Sequence, residues 1–129
     1  MKKIFLILLC LGSVVGCKST VTTPEGGTAT YSKAEGMMRS TLPGAMPEVV
    51  NATNATLTDL ELVAIDSTVD KLKGKITARM AVGTKVTINL EAVDFQSTSI
   101  RIKVGTFGDR SISLQILRNI ERRLKEKKE

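Results

Sequence analysis

From about residue 60 onward, apolar and polar residues alternate with a period of two. The apolar positions fall into four series: Leu60, Leu62 and Ala64; Ile76, Ala78, Met80 and Val82; Val86, Ile88 and Leu90; and Ile100, Ile102 and Val104. This alternation is typical of strands that bury one face and expose the other. Short polar or glycine-containing segments separate the series, so the pattern predicts a four-stranded antiparallel meander with one hydrated face.

Two other segments have the spacing of helices. The first is predicted at about residues 44–57, because Pro47 is tolerated in a first turn and Met46, Val49 and Val50 recur at helical spacing. A short strand over residues 36–42 is predicted before it.

The second helix is predicted at about residues 110–126. Its apolar stripe consists of Ile112, Ile116, Leu117, Ile120 and Leu124. Both stripes need an apolar surface, and the sheet offers one. The predicted fold class is therefore α+β, a two-layer domain with a four- to five-stranded, mainly antiparallel meander and two helices on one face.

The most hydrophobic stretch of the chain, residues 4–16, follows Lys2 and Lys3. It has the length of a signal-peptide core and is shorter than the roughly 20 residues that cross a bilayer. It ends in Val14-Val15-Gly16-Cys17, which resembles a bacterial lipobox. In such a motif the chain is cut before the cysteine, and Cys17 receives the lipid.

The lipobox divides the chain into three parts. Residues 1–16 are predicted to be a lipoprotein signal peptide. Residues 17–34, rich in Thr, Ser and Gly, are predicted to be the lipidated cysteine and a flexible tether. Residues 35–129 are predicted to form the small α+β domain. Two or more acyl chains hold a protein stably on its membrane, so the expected location is a lipid-anchored, periplasm-facing one. The outer membrane is favoured over the inner because Lys18, and not an aspartate, follows the cysteine.

The composition offers little for catalysis. The chain has no His, and its two cysteines are Cys10, which would leave with the signal peptide, and Cys17. The commonest general base and any free thiol are then absent from the mature chain. Scattered carboxylates alone do not indicate a metal site or a cofactor. We therefore expect no catalytic residues and no enzymatic activity.

The formal charge is +6. Five basic residues are predicted to share the hydrated face of the sheet: Lys75, Arg79, Lys85, Arg101 and Lys103. Such a face is either merely solvated or fits an anionic partner, which could be lipid headgroups, an anionic polysaccharide or an acidic envelope protein. Aromatic residues are scarce near these positions, so nucleic acid is not an expected partner.

The segment from Gly105 to Asp109 joins the last strand to the last helix. Gly105, Phe107, Gly108 and Asp109 are interpreted as a structural corner, with Asp109 as N-cap and Phe107 filling the end of the core. The alternative is an anion site at the helix N-terminus. That alternative lacks the Lys-Ser/Thr continuation of a phosphate loop.

The strand ending in Val104-Gly105-Thr106-Phe107-Gly108-Asp109, together with the lipobox, resembles a family of small bacterial lipoproteins of unknown function. The resemblance spans roughly residues 35–125 and the signal segment. It implies a small α+β fold and a lipid anchor, and it implies no activity. The predicted function is a lipid-anchored envelope protein with a structural or binding role. The alternative is a module that binds a small apolar ligand or an anionic surface.

Overall fold

The computed structural model describes residues 18–22 and 28–128, which form a sheet covered on one side by helices. The strands are β1 (Lys18–Thr22), β2 (Thr28–Ser32), β3 (Met37–Pro43), β4 (Val63–Val69), β5 (Lys73–Arg79), β6 (Lys85–Asp94) and β7 (Ser97–Val104). The helices are α1 (Met46–Asp59) and α2 (Arg110–Lys128). The predicted signal peptide and Cys17 lie outside the described residues.

The described strands form a single antiparallel sheet in the order β1-β2-β3-β7-β6-β5-β4. The α+β class, the two helices and the β4–β7 meander are confirmed. The predicted burial of one face is wrong for β4, because every residue of this edge strand, Ala64 included, is exposed. The predicted number of four to five strands is wrong, because the described residues contain seven. The additional strands, β1 and β2, extend the sheet beyond β3.

Both additional strands lie in the segment predicted to be a flexible tether. In β2, Ala29 and Tyr31 are buried opposite Ser40 and Met38 of β3. The intervening Thr30 and Ser32 face the other side. The prediction of a tether is therefore wrong for residues 18–22 and 28–32. Neighbouring strands provide hydrogen-bond partners for their backbone groups, and the side chains of Ala29 and Tyr31 join the core.

The core occupies the sheet face that the helices cover. Ile88, Ile100 and Ile102 are fully buried there against the apolar stripe of α2, in which Ile116 and Ile120 are also fully buried. Helix α1 contacts β4, β6, β7 and α2, so it shares this face. Within the described residues, no helix is both long enough and apolar enough to cross a membrane.

The C-terminal end of α1 explains why the first strand of the meander begins later than predicted. The N–H of Leu62 donates to the carbonyl of Leu57 at 2.8 Å, and the N–H of Glu61 donates to that of Thr58 at 3.1 Å. Glu61 has a φ of 58°, so these bonds form a Schellman motif, in which buried Leu62 packs near Leu57. Leu62, assigned by its alternation to a strand, therefore belongs to the helix terminus.

Replacing Glu61 with glycine should stabilise the domain. The left-handed conformation is sterically unfavourable for a residue with a Cβ and is not so for glycine. The free energy of unfolding should therefore rise by about 0.5–1 kcal/mol. Urea unfolding followed by circular dichroism measures the change. Glu61→Ala keeps the Cβ and is the matched control. An equal gain in both variants would show that the side-chain carboxylate, not the backbone conformation, is responsible.

A second alternation also ends earlier than predicted. Strand β5 stops at Arg79, and the chain then turns, with the N–H of Gly83 donating to the carbonyl of Met80 at 2.8 Å. Gly83 has a φ of 90°, which favours glycine. Val82, predicted to face the core, therefore lies at the tip of the turn and is 83% exposed.

Candidate anionic-surface interface

The five basic residues singled out in the sequence lie on the outer face, which we define as the sheet face opposite the helices. Lys75 and Arg79 are on β5, Lys85 is on β6, and Arg101 and Lys103 are on β7. Each strand alternates these positions with core residues, so one pleated surface carries all five. Four of the side chains are exposed, and that of Lys103 is half-buried.

The strand register places like charges directly opposite each other on the outer face. Arg79 is the cross-strand partner of Lys85, and Arg101 is the partner of Arg39 on β3. Directly opposed like charges destabilise an antiparallel pair. Folding alone therefore gains nothing from these two pairs, and an anion placed over them would relieve the repulsion.

Arg39 was missed by the sequence reasoning. The signal was present, because Arg39 alternates with buried Met38 and Ser40 in the predicted short strand. Its place beside Arg101, however, depends on β3 pairing with β7, which are distant in sequence. The alternation of apolar and polar residues within one segment does not predict which strand, distant in sequence, that segment pairs with.

The cations of the outer face are largely uncompensated. Arg39 forms a salt bridge of 2.6 Å with Glu35, but both side chains are about half exposed, and such surface pairs contribute little. Within the described part of the chain, none of the five basic residues named first has an ion-pair partner. Their positive potential is therefore available to an external anion.

Two shallow grooves indent the outer face. The first, of about 540 Å³, is lined by Lys85 and Lys103 together with Thr84, Thr87, Thr106, Gly83 and Gly105. The second, of about 420 Å³, contains Lys73, Lys75 and Arg101 but also Glu91 and Asp70. The first groove has ammonium groups, hydroxyls and no carboxylate, so it is the better seat for an anion such as a phosphate.

Asp70 keeps a negative charge beside the second groove. Its Oδ1 accepts hydrogen bonds of 2.8 Å from the N–H of Lys73 and from that of Leu72. These bonds, that of Lys73 first, hold the pKa of the Asp70 carboxyl below its usual range, because they stabilise the ionised form. The second groove therefore has mixed charge.

The corner between β7 and α2 is built as a sharp backbone reversal. Gly105 and Gly108 have φ values of 71° and 83°, and Oδ1 of Asp109 accepts the N–H of Ile112 at 2.9 Å. The carboxylate thus takes the place that an external anion would occupy at the start of α2. Phe107 does not fill the end of the core as predicted: it is 91% exposed, because the two left-handed glycines turn its residue away from the sheet.

An apolar groove of about 520 Å³ lies at the other side of the molecule, at the start of α1. It is lined by Met46, Pro47, Val50 and Val69, with polar residues at its rim. It lies between the start of α1 and the end of the edge strand β4 and opens to solvent.

The comparisons with known proteins identify a family and no activity. Within residues 18–22 and 28–128, no three side chains of His, Cys, Asp and Glu are grouped so as to hold a metal ion. A search of curated proteins finds no match to the chain. A family model does match, over residues 1–123, and its description is that of a protein of unknown function. Since that match covers nearly the whole chain, the protein belongs to the uncharacterised family DUF3568.

Proposed function

We propose that this protein is a lipid-anchored lipoprotein of the bacterial cell envelope whose domain is a non-enzymatic module that binds an anionic surface. Cys17 is the lipid acceptor, and Val14, Val15 and Gly16 are the residues read by the signal peptidase. The support for the anchor is the sequence motif and the basic, apolar segment before it. The support for binding comes from the outer face.

The main support for the binding role is that two pairs of like charges lie opposite each other across the strands. Arg79 faces Lys85 and Arg39 faces Arg101 on the sheet side that the two described helices leave uncovered. A face needed only for solubility would gain stability from alternating signs across the strands. The arrangement is instead suited to a partner that brings negative charge, such as phospholipid headgroups.

The binding role predicts a salt-sensitive association with anionic vesicles. Residues 18–129 contain every described strand and helix and lack the anchor, so binding of this fragment reports the outer face alone. A basic residue near an anionic surface contributes about 1 kcal/mol, so Arg79→Glu with Arg101→Glu should weaken binding roughly 30-fold or more. Co-sedimentation with phosphatidylglycerol vesicles at rising salt measures the affinity.

The matched control reverses two exposed charges elsewhere. Lys125 and Lys127 lie near the end of α2, on the opposite side of the molecule from the outer face, and both are exposed. Lys125→Glu with Lys127→Glu should reduce binding much less than the first pair of substitutions. Equal losses would mean that net charge, not the outer face, governs association. Unchanged binding after charge reversal at Arg79 and Arg101 would contradict the binding role.

The second candidate function, transport of a small apolar ligand, draws only on the groove beside α1. Ligand sites usually enclose most of the ligand surface. The groove lined by Met46, Val50 and Val69 is open to solvent along the sheet edge. The unpaired cations are the more specific feature, so the geometry favours the anionic surface over the apolar ligand.

A further inference from the structure

One end of the sheet carries both the attachment point of the chain, on the edge strand β1, and the basic groove, which begins at β7 three strand spacings away. A row of cross-strand partners runs from Lys18 through Ser32, Met37 and Lys103 to Thr87. We call this the Lys18 end. Cys17 is bonded directly to Lys18, and consecutive Cα atoms are about 3.8 Å apart. A lipid on Cys17 therefore joins the chain immediately before the edge strand β1, with no long tether between them.

Two exposed apolar residues lie at this same end. Val82, at the tip of the β5–β6 turn, is 83% exposed, and Phe107, in the corner before α2, is 91% exposed. Each is adjacent in sequence to the wall of the first groove, since Val82 precedes Gly83 and Phe107 follows Thr106. A large apolar side chain in water is unfavourable, and a membrane interface is a place where an aromatic ring is stabilised.

Basic residues lie beside these two apolar positions, and the nearby carboxylates are those of Glu35, which pairs with Arg39, and Asp109, which caps α2. Lys85 and Lys103 line the groove between them, and Arg79 lies opposite Lys85. Basic side chains beside exposed apolar ones are the pattern by which proteins lie on anionic bilayers, with the charges at the headgroups and the apolar groups just below.

The opposite end of the sheet differs in the charge of its groove, which includes Asp70 and Glu91. It too exposes apolar side chains, notably Phe95 in the β6–β7 turn, which is 83% exposed. Here, however, Lys71 and Lys73 are accompanied by Asp70 and Asp94, and Asp94 Oδ1 accepts the N–H of Gln96 at 2.7 Å. Apolar exposure alone is therefore common to both ends. Only the Lys18 end combines it with an all-basic groove and the attachment point.

We propose that the Lys18 end rests on the bilayer that holds the lipid anchor. Phe107 and Val82 enter the boundary between headgroups and acyl chains, and the groove of Lys85 and Lys103 receives the phosphates of anionic phospholipids. This deepens the proposed function and rests on it, since the anchor sets which membrane is near. It fixes the orientation of the domain, with the opposite end and Phe95 directed into the periplasm.

Tryptophan fluorescence tests the orientation, because the chain contains no Trp. Full-length protein carrying Phe107→Trp or Phe95→Trp is purified from membranes and reconstituted into vesicles of phosphatidylglycerol and phosphatidylethanolamine. The vesicles include lipids brominated on the acyl chain near the headgroup. Both phenylalanines are highly exposed, so neither substitution enlarges a buried side chain. We expect quenching and a shift to shorter wavelength for Phe107→Trp, and neither change for Phe95→Trp.

A charge test is run on the Phe107→Trp chain. Lys85→Glu with Lys103→Glu should reduce its quenching in anionic vesicles, whereas Lys125→Glu with Lys127→Glu, which lie near the end of α2 and away from the outer face, should leave it unchanged. Equal effects of the two pairs would overturn the role of the groove. Undiminished quenching in both charge-reversed proteins would also overturn the role of the groove.

Flotation of the same samples separates the orientation from the anchor. Chains that float with the vesicles while both tryptophans stay unquenched would contradict the membrane contact and leave the anchor standing. This is also the outcome expected if an acidic protein or a polysaccharide is the partner. Quenching of Phe95→Trp, alone or equally, would contradict the orientation. Chains that do not float, and whose N-terminal peptide carries no acyl mass, would contradict the anchor and the contact together.

Discussion

Gly108→Ala should lower the free energy of unfolding by about 3 kcal/mol or more, one of the largest effects expected of a single substitution here. Gly108 has a φ of 83°, and a Cβ built on it would overlap the carbonyl oxygen and the Cα of Gly36. The overlap is with backbone, which cannot rotate away. Gly36 is equally constrained, because its own Cβ would lie 2.7 Å from the carbonyl carbon of Phe107.

Gly83 supplies the matched control for this prediction. It also has a positive φ, 90°, but a Cβ there would meet nothing within 4 Å. Gly83→Ala should therefore cost only the conformational strain, about 1–2 kcal/mol. Thermal and urea unfolding of the two variants measure the difference. If Gly108→Ala is no more destabilised than Gly83→Ala, the close approach between the β2–β3 turn and the corner is not present in solution.

The contact between Gly36 and Gly108 also matters for the proposed membrane contact. It ties the β2–β3 turn to the corner that carries Phe107, so the exposed ring stands on a fixed backbone instead of a loose loop. A fixed ring loses less conformational entropy when it enters an interface. The same backbone packing explains why Phe107 cannot turn inward to fill the core.

The interior strands were predictable because each carries a strong local signal. In β6 and β7, β-branched or leucine side chains alternate with polar ones over several residues, and Ile88 and Ile102 face each other across the register. Burial of one face then follows from the pattern alone. In β2 the buried positions are only Ala29 and Tyr31 among threonines and serine. A segment with so little apolar content gains its order from pairing with β3, which is a tertiary contribution that local composition does not contain.

The predicted ends of helices and strands were wrong mainly where a residue adopts the left-handed backbone conformation, with positive φ. Glu61 and Gly83 each reverse the chain at a point where hydrophobic alternation continues in the sequence, and Gly108 helps to turn the corner that carries Phe107. For the glycines, residue type is a hint, but Glu61 carries none, because its conformation is imposed by the hydrogen bonds that end α1. The exposed Val82 and Phe107 result from such reversals, and hydrophobicity alone had assigned both to the core.

For the candidate site, alternation within strands placed the basic residues on one face. It could not give their neighbours. The opposition of Arg79 to Lys85 follows from the tight β5–β6 turn, whereas that of Arg39 to Arg101 requires the non-local pairing of β3 with β7. The juxtaposition of Lys18 with the basic groove depends on three successive strand pairings. The proposed orientation on the membrane is therefore a property of the whole sheet and of no single motif.

Cys17→Ala should remove the lipid and prevent formation of the processed, lipid-anchored chain. Two or more acyl chains bind a bilayer stably, whereas the association proposed for the outer face alone is one that salt should reverse. Wild-type protein should lack residues 1–16, carry acyl mass on its N-terminal cysteine and stay with membranes in a high-salt wash. Cys17→Ala should show no acyl mass and should retain residues 1–16 as an uncleaved precursor, because the peptidase acts on the lipidated cysteine.

Cys10→Ala is the matched control, since Cys10 lies within the apolar run that would be discarded. It should be processed and acylated as the wild type is. Mass spectrometry of the N-terminal peptide, together with incorporation of labelled palmitate, distinguishes the variants. A Cys17→Ala chain that is cut at the same site and fractionates like the wild type would show that retention does not depend on Cys17. The membrane contact at the Lys18 end would then have no anchor to bring it to the bilayer.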